Sequence, residues 1–296
     1  MRILSVGEIL WDVFPDGERL GGAPFNFAAH AARLSHEAIF LSAVGDDDRG
    51  RAALRKAREL GVTTEYLQTV KDAPTGYVSV EVDSAGVPSF TIHRPAAYDL
   101  FRLSPEEIEK LAGMNPEFLA FGTLHQTTPE VKAHTQLLME ACSGARRFYD
   151  VNLRRDSYNP FLLEDLMLQA EIVKLNETEM EELNRLFGIS LPSMRKSCEY
   201  WRSRYGWAVV AVTLGEKGCI VLGGEEYVEA PGYPVTVADT VGSGDAFSAA
   251  FIHGLAEGWP LAETADFANR VGALVASRPG AVPEWTVEEA RALRRS

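Results

Sequence analysis

The chain has 296 residues, enough for one large α/β domain or two ordinary ones, and its 46% hydrophobic and 24% charged composition excludes a disordered or fibrous protein. Acids outnumber bases 42 to 29, a net charge of −13, and the only basic doublets of note, Arg146-Arg147, Arg154-Arg155 and Arg294-Arg295, are isolated, so the expectation is no nucleic acid and no membrane as partner. Cys142, Cys198 and Cys219 form no CxxC, and the six histidines show no zinc spacing; this excludes a disulfide framework and a zinc site and fits a cytoplasmic protein.

The first apolar run, Ile3–Val6, reads as a buried strand, and Glu8 and Asp12 follow too early for a signal peptide. A helical pattern covers Phe25–Leu34, a strand Phe40–Val44 and a helix Arg51–Leu60. From Thr75 the text changes to TGYVSVEVDSAGVPSFTIHR. Val78, Val80 and Val82 alternate with polar residues, as do Phe90 and Ile92 after an Ala85-Gly86 turn, which predicts two strands of a small separate sheet or an exposed edge hairpin. Ser104-Pro105-Glu106-Glu107 reads as a capping box opening a helix. Strands are then predicted at Phe118–Phe121, Arg147–Val151, Ile172–Leu175, Ala208–Thr213 and Cys219–Leu222, with helices at Glu130–Cys142 and Glu177–Leu186, and a second capping box at Thr286–Glu289. Unbroken apolar strands alternating with helices predict a mainly parallel sheet covered on both faces.

Near the C-terminal end, DTVGSGDAF (Asp239–Phe247) sets two glycines and a serine against an acid, ahead of a helix of small residues. Glycines permit close backbone approach, and a helix start offers free N–H groups to an anion. The stretch has neither the GK[ST] of a Walker loop nor the third glycine of a dinucleotide fingerprint. Asp245 has two readings here. It stabilises a helix N-terminus by ~0.3–1 kcal/mol, or it is a base for an alcohol attacking a bound phosphoryl group, for which an ordinary carboxylate of pKa about 3.9 suffices.

DTVGSGDAF resembles the C-terminal signature of the PfkB (ribokinase-like) carbohydrate kinases, which usually have Ala where Ser243 stands. GEILWDVFPDGERLGGAPFNFA resembles the opening of bacterial fructokinases in that family, and DVNLR (Asp150–Arg154), KLNETEM (Lys174–Met180) and VTLGEKG (Val212–Gly218) follow in the family's order. The resemblance implies one domain over residues 1–296: an α/β ribokinase-like three-layer sandwich with a mainly parallel central sheet. A small β-sheet lid would form from about 75–95, with part of segment 10–24 as a candidate to join it. It implies transfer of the γ-phosphoryl of ATP, with Mg²⁺, to a sugar hydroxyl, D-fructose giving fructose 6-phosphate. Asp245 would be the base and Gly242, Ser243 and Gly244 the anion hole. Asn176, Thr213, Gly215, Gly244 and Asn269 would serve the nucleotide, and Glu179 would order Mg²⁺ through water.

For the sugar the matching positions are Asp12, Gly21, Gly22 and Asn26, with Asn152 and Arg154 in DVNLR and Arg94 on the lid. A carboxylate accepts from adjacent hydroxyls, an amide donates and accepts, and Gly-Gly lets backbone approach a ring. Trp11, Phe14 and Phe25 offer apolar faces or, more plainly, core packing. Asn176 and Glu179 also read as a helix cap and first-turn acid. Two departures stand out: Ser35-His36 replaces a glycine-containing turn, an effect assigned to packing, and Val151 replaces the fructokinase proline. Other readings stay open, namely a kinase for ribose or 2-keto-3-deoxygluconate, or a silent sugar- or nucleotide-binding regulator. So do K⁺ as a further ion and a homodimer through the lid.

Overall fold

In a computed structural model that describes residues 1–82 and 88–295, with side chains outside 80–90, the apolar runs become strands of one large sheet. The chain opens with strands β1 (Arg2–Val6), β2 (Leu10–Phe14) and β3 (Gly17–Gly21), then helix α1 (Ala23–Arg33), β4 (Glu37–Gly45), α2 (Asp48–Glu59) and β5 (Leu67–Val70). Next come β6 (Gly76–Val82), β7 (Pro88–His93), α3 (Pro105–Gly113), β8 (Phe118–Gly122), α4 (Pro129–Ala141) and β9 (Arg146–Asp150). After α5 (Pro160–Gln169), β10 (Ile172–Asn176), α6 (Glu177–Leu186) and α7 (Met194–Tyr205) follow β11 (Val209–Thr213), β12 (Gly218–Gly223) and β13 (Glu226–Pro231). Helices α8 (Ser243–Ala256), α9 (Leu261–Ala276) and α10 (Val287–Ala292) complete the order.

The nine-stranded sheet runs β13-β12-β11-β10-β9-β8-β1-β4-β5. Neighbours from β5 to β11 pair in parallel, and β12 and β13 add an antiparallel edge. Side chains alternate across a strand, so an apolar run serves two cores at once. Ile3, Phe40 and Phe118 face one core with Phe25, Phe251 and Val271; Leu4, Leu41 and Leu119 face the other with Leu138, Met180 and Trp201. Helices α1, α2, α8, α9 and α10 thus cover one face and α3 to α7 the other, the three layers that both-face burial requires. Both capping boxes form: Ser104 Oγ accepts from Glu107 N at 3.2 Å and Glu107 Oε2 from Ser104 N at 2.7 Å, and Thr286 and Glu289 repeat the exchange at 3.2 and 2.8 Å.

A second, four-stranded sheet has the order β3-β2-β6-β7, with β2 and β6 parallel. Two distant segments build it, 10–21 and 76–93, and the parallel pairing requires the crossover through the large sheet that separates them. Leu10 and Val78 meet Ala96 and Tyr98 in a small core between the two sheets. The Ala85-Gly86 turn lies outside the described residues. Among the described residues no helix is long and apolar enough to cross a membrane.

Ser35 takes the left-handed φ of 63° that the glycine of a tighter turn would take freely, and His36 Nε2 meets Nδ1 of His253, in the last turn of α8, at 2.9 Å. The pair therefore ties the end of α1 to the end of α8, more than a packing change alone. A left-handed L-residue costs ~1–2 kcal/mol, partly offset for glycine by its larger unfolded-state freedom. Ser35→Gly is expected to raise unfolding free energy by up to about 1 kcal/mol, read as a higher urea midpoint; a lower midpoint would contradict strain at this turn.

Candidate active site

Strand order reverses between β1 and β8: the chain steps outward one way through β4 and β5, and the other way from β8 through β11. At such a switch point the loops leaving the two strands part, and a crevice opens beyond their carboxyl ends. Here α1 starts almost on top of it. A Cβ on Gly22, at φ 109°, would lie 2.4 Å from the Glu8 carbonyl oxygen, and Ser5 Oγ donates to Pro24 O at 2.8 Å. A cavity of about 20 Å³, room for roughly one water, lies at this point, lined by Ser5, Glu8, Pro24, Thr123, Asp150 and Asn152 among others.

The N-terminus of α8 reaches the same crevice. Gly242 opens the helix at φ 79°, and a Cβ there would lie 2.1 Å from Ala281 O, so only glycine fits. No side chain caps α8, which leaves its first N–H groups for a ligand. Ser243 Oγ donates to Thr240 O at 2.8 Å, so the expected anion hole is one of backbone rather than of the serine hydroxyl. Asp239 braces the turn, its carboxylate accepting from Val241 N at 3.0 Å and Gly280 N at 3.1 Å.

Asp245 sits in the first turn of α8, and its Oδ2 accepts from Asn26 Nδ2, on α1, at 2.8 Å. Burial and the Asp150 charge push its pKa up to about 6, against the Asn26 hydrogen bond and the charges of Lys174 and Arg154. The ordinary carboxylate expected from the sequence is thus replaced by a stronger base.

Asp12 lies on β2, opposite Arg19 of β3 and Val78 of β6. A Cβ on Gly21 would come within 2.8 Å of its carboxylate, so Gly21 keeps the space beside Asp12 open. Burial pushes Asp12 up to about 6, opposed by Arg154 and Arg19. Asn152 holds a φ of 37° and lines the cavity. Arg154 is exposed, makes no ion pair among the described residues, and its charge acts on Asp12, Glu8 and Asp245.

At the sugar end Phe25 takes the plainer of its two readings, core packing, and the expectation for Arg94 changes. Phe25 is 1% exposed, edge-on to Phe40 in the core, and has no face to offer. Trp11 donates to Arg49 O at 3.1 Å, and Phe14 lies under the Arg19 guanidinium. Arg94 is not a free lid residue: Nε donates to Asp99 Oδ2 at 3.1 Å, and its other nitrogens reach Asp99 Oδ1, Thr127 and Thr128.

On the other side of Asp245, β10 and β11 end at Asn176 and Thr213, opposite each other in register. Asn176 caps α6 through Glu179 N at 2.9 Å, while Glu179 accepts from Asn176 N at 2.8 Å and Leu153 N at 2.9 Å. The plainer reading, cap and first-turn acid, is therefore realised, and it leaves acceptor sites on a carboxylate that burial pushes upward. Gly215 turns at φ 60° beyond β11. Asn269 donates to Ala230 O at 2.9 Å, so its amide holds β13 and does not face the crevice as a free group. Among the described residues no three His, Cys, Asp or Glu side chains form a metal cage.

Four residues escaped the sequence reading as site members. Lys174, on β10, places Nζ 3.2 Å from both Asp150 oxygens, and Ser248 Oγ lies 2.9 Å from Asp150 Oδ2. Glu8 is 3% exposed, its Oε2 meets no partner among the described residues, and burial pushes it up to about 7. The signal for Lys174 was present: a cation in an apolar strand buried on both faces requires a counterion.

The family model of the pfkB family carbohydrate kinases matches residues 13–287. A fructokinase of Klebsiella pneumoniae is 32% identical over 305 residues, covering 95% of this chain and 95% of its own. Among solved structures, a Xylella fastidiosa fructokinase with bound ATP superposes with TM-score 0.86 at 24% identity over 98% of this chain and 97% of its own. A 2-dehydro-3-deoxygluconokinase of Thermotoga maritima gives 0.86 at 21% identity, with 98% of each chain covered; at these identities the structures speak for the fold.

Folded Asp245 keeps its proton up to about pH 6, whereas the ordinary value is 3.8. Between those values the folded state binds more protons than the unfolded one, so stability falls as pH rises. Asp245→Asn is therefore expected to raise the thermal midpoint at pH 8, with the gain shrinking toward pH 4. An unchanged or lower midpoint at pH 8 would show that the carboxylate is fully compensated.

Proposed function

The chain belongs to the pfkB family of carbohydrate kinases, and we propose that it transfers the γ-phosphoryl group of ATP to D-fructose, giving fructose 6-phosphate. The observation that carries this reading is Asp245: a carboxylate with a pKa of about 6, in the first turn of an uncapped helix, at the sheet's switch point. The run GEILWDVFPDGERLGGAPFN and the fructokinase relative support fructose.

Asp12 accepts from sugar hydroxyls, and Gly21 and Gly22 let the backbone approach the ring. The small sheet covers the sugar as a lid and excludes water. Asp245 takes the proton of the attacking hydroxyl as its oxygen bonds to the γ-phosphorus, and the bond to the β-phosphate oxygen breaks to release ADP. Backbone N–H groups at Gly242–Gly244 receive the charge on the transferred group. Asn176, Thr213 and Gly215 line the nucleotide, and Asn269 supports that wall through β13. Glu179, which keeps acceptor sites beyond its two backbone hydrogen bonds, would order Mg²⁺ through water. When bound, Mg²⁺ neutralises phosphate charge.

One observation favours a second substrate. Arg154 is an exposed cation without an ion-pair partner among the described residues, close enough to act on Asp12, as an acidic sugar such as 2-keto-3-deoxygluconate would need.

ADP release from Mg·ATP across fructose, ribose, 2-keto-3-deoxygluconate, glucose, mannose and adenosine, with and without K⁺, decides the substrate; fructose is expected to lead. Asp245→Asn is expected to lower kcat by roughly 10²–10⁴-fold with nucleotide binding retained, and a near-normal rate would refute the base. In the wild type, kcat is expected to fall about tenfold per pH unit below about 6, where Asp245 gains its proton. Asp12→Ala is expected chiefly to raise the sugar KM; an unchanged KM and kcat would make Asp12 structural.

A further inference from the structure

β10 is covered on both faces, and Val173 and Leu175 are completely buried, yet Lys174 between them carries a cation and is only 6% exposed. The parallel register sets Lys174 opposite Asp150, and Nζ lies 3.2 Å from each Asp150 oxygen. Ser248 extends the pair to α8: its Oγ lies 2.9 Å from Asp150 Oδ2 and 3.0 Å from Gly244 O. A Cβ on Gly244 would come to 3.2 Å from Nζ, so the ammonium lies against the turn that precedes Asp245.

We propose that Lys174 is the positioning residue of the phosphoryl-transfer site: paired with Asp150 against the Gly242–Asp245 turn, it fixes the start of α8 and holds a positive charge beside the base. This rests on the reading of Asp245 as the base. The charged and polar groups that face Asp245 are Asp150 from β9, Lys174 from β10, Arg154 from the loop after β9, Glu8 from the loop after β1, and Asn26 from α1. Asp150 raises the Asp245 pKa, and Lys174 and Arg154 lower it. Without Lys174, two carboxylates would share a buried corner with the loop cation Arg154 alone opposing them. Like charges so placed cannot both stay ionised easily.

The test is the pH dependence of ADP release by the full chain at saturating sugar and Mg·ATP. Lys174→Met is expected to move the acid limb of kcat upward by about one pH unit or more, and Lys174→Arg to keep it in place. Asp150→Asn is expected to move the limb down. The double variant Lys174→Met/Asp150→Asn leaves no unpaired member of the pair, and its limb is expected to return close to that of the wild type. A folded Lys174→Met enzyme with an unmoved limb overturns the proposal. If that variant does not fold, Asp150→Asn decides, and an unmoved limb there also overturns it. Asp245→Asn separates the two failures. A wild-type rate in it removes the base itself; a lost rate there with unmoved limbs elsewhere removes only the part given to Lys174.

Discussion

Several carboxylates meet in one partly dry crevice, and the surrounding structure follows from the need to tolerate them. Glu8, Asp150 and Asp245 come from the loop after β1, the end of β9 and the first turn of α8, and Glu179 adds a fourth beyond β10. Burial raises the pKa of Glu8, Glu179 and Asp245, because low polarity disfavours the ionised form. Three devices oppose this. Lys174 neutralises Asp150, the N-termini of α1 and α8 direct positive dipole ends at the crevice, and Glu179 accepts two backbone N–H bonds. The compensation is incomplete at Glu8 and at Asp245, and of the two it is Asp245, in the first turn of α8, that the proposed reaction uses.

Close backbone contact is the second constraint, and it explains why the site is framed by glycines. Gly22 brings α1 against the exit of β1, and Gly242 brings α8 against Ala281. The Ala281 carbonyl is itself held, since His30 Nε2 meets it at 3.0 Å and Trp285 Nε1 donates to His30 Nδ1 at 3.1 Å. Accepting from Trp285 leaves Nδ1 without a proton, so Nε2 is the nitrogen that donates. A buried imidazole on α1 thereby fixes the wall on which the start of α8 rests. Asn26, on the same helix, then meets Asp245, so one helix sets both the backbone and the side chain of the proposed base.

Much of this was legible because the chemistry is local in sequence. Gly242–Asp245 and Gly21-Gly22 announce close approach, and Asn176 with Glu179 announces a cap, within a few residues each. The strands of the inner sheet were legible because burial on both faces leaves unbroken apolar runs. Edge strands were not: LQTV in β5 and EYVEAP in β13 each pair on one side only and carry polar residues. Helix α7, MRKSCEYWRSRY, buries only Ser197, Cys198 and Trp201, too narrow a stripe to stand out among its charges. The contacts that mattered most at the site were invisible for another reason. Lys174 meets Asp150 only through the register of β9 and β10, and Arg94 looks free until Asp99, five residues on, folds back onto it.

That last pairing bears on which hydroxyl reacts. In the proposed reaction Asp12 orients the sugar from the small sheet, whereas Asp245 receives the proton at the start of α8, so the distance between β2 and the start of α8 selects the hydroxyl. The chain enters the small sheet through Glu8 and Ile9, both buried, and again near Thr75, whose Oγ1 donates to Asp47 Oδ1 at 2.7 Å. It leaves through Arg94, tied to Asp99 and Thr128. Each crossing is tied to the body of the large sheet by burial or by charge-assisted hydrogen bonds. These ties make the separation of Asp12 from Asp245 a property of the fold. In the proposed reaction substrate choice is then left to side chains such as Arg154, whose charge acts on both Asp12 and Asp245, and a scaffold of this kind can keep its phosphoryl chemistry while its sugar changes.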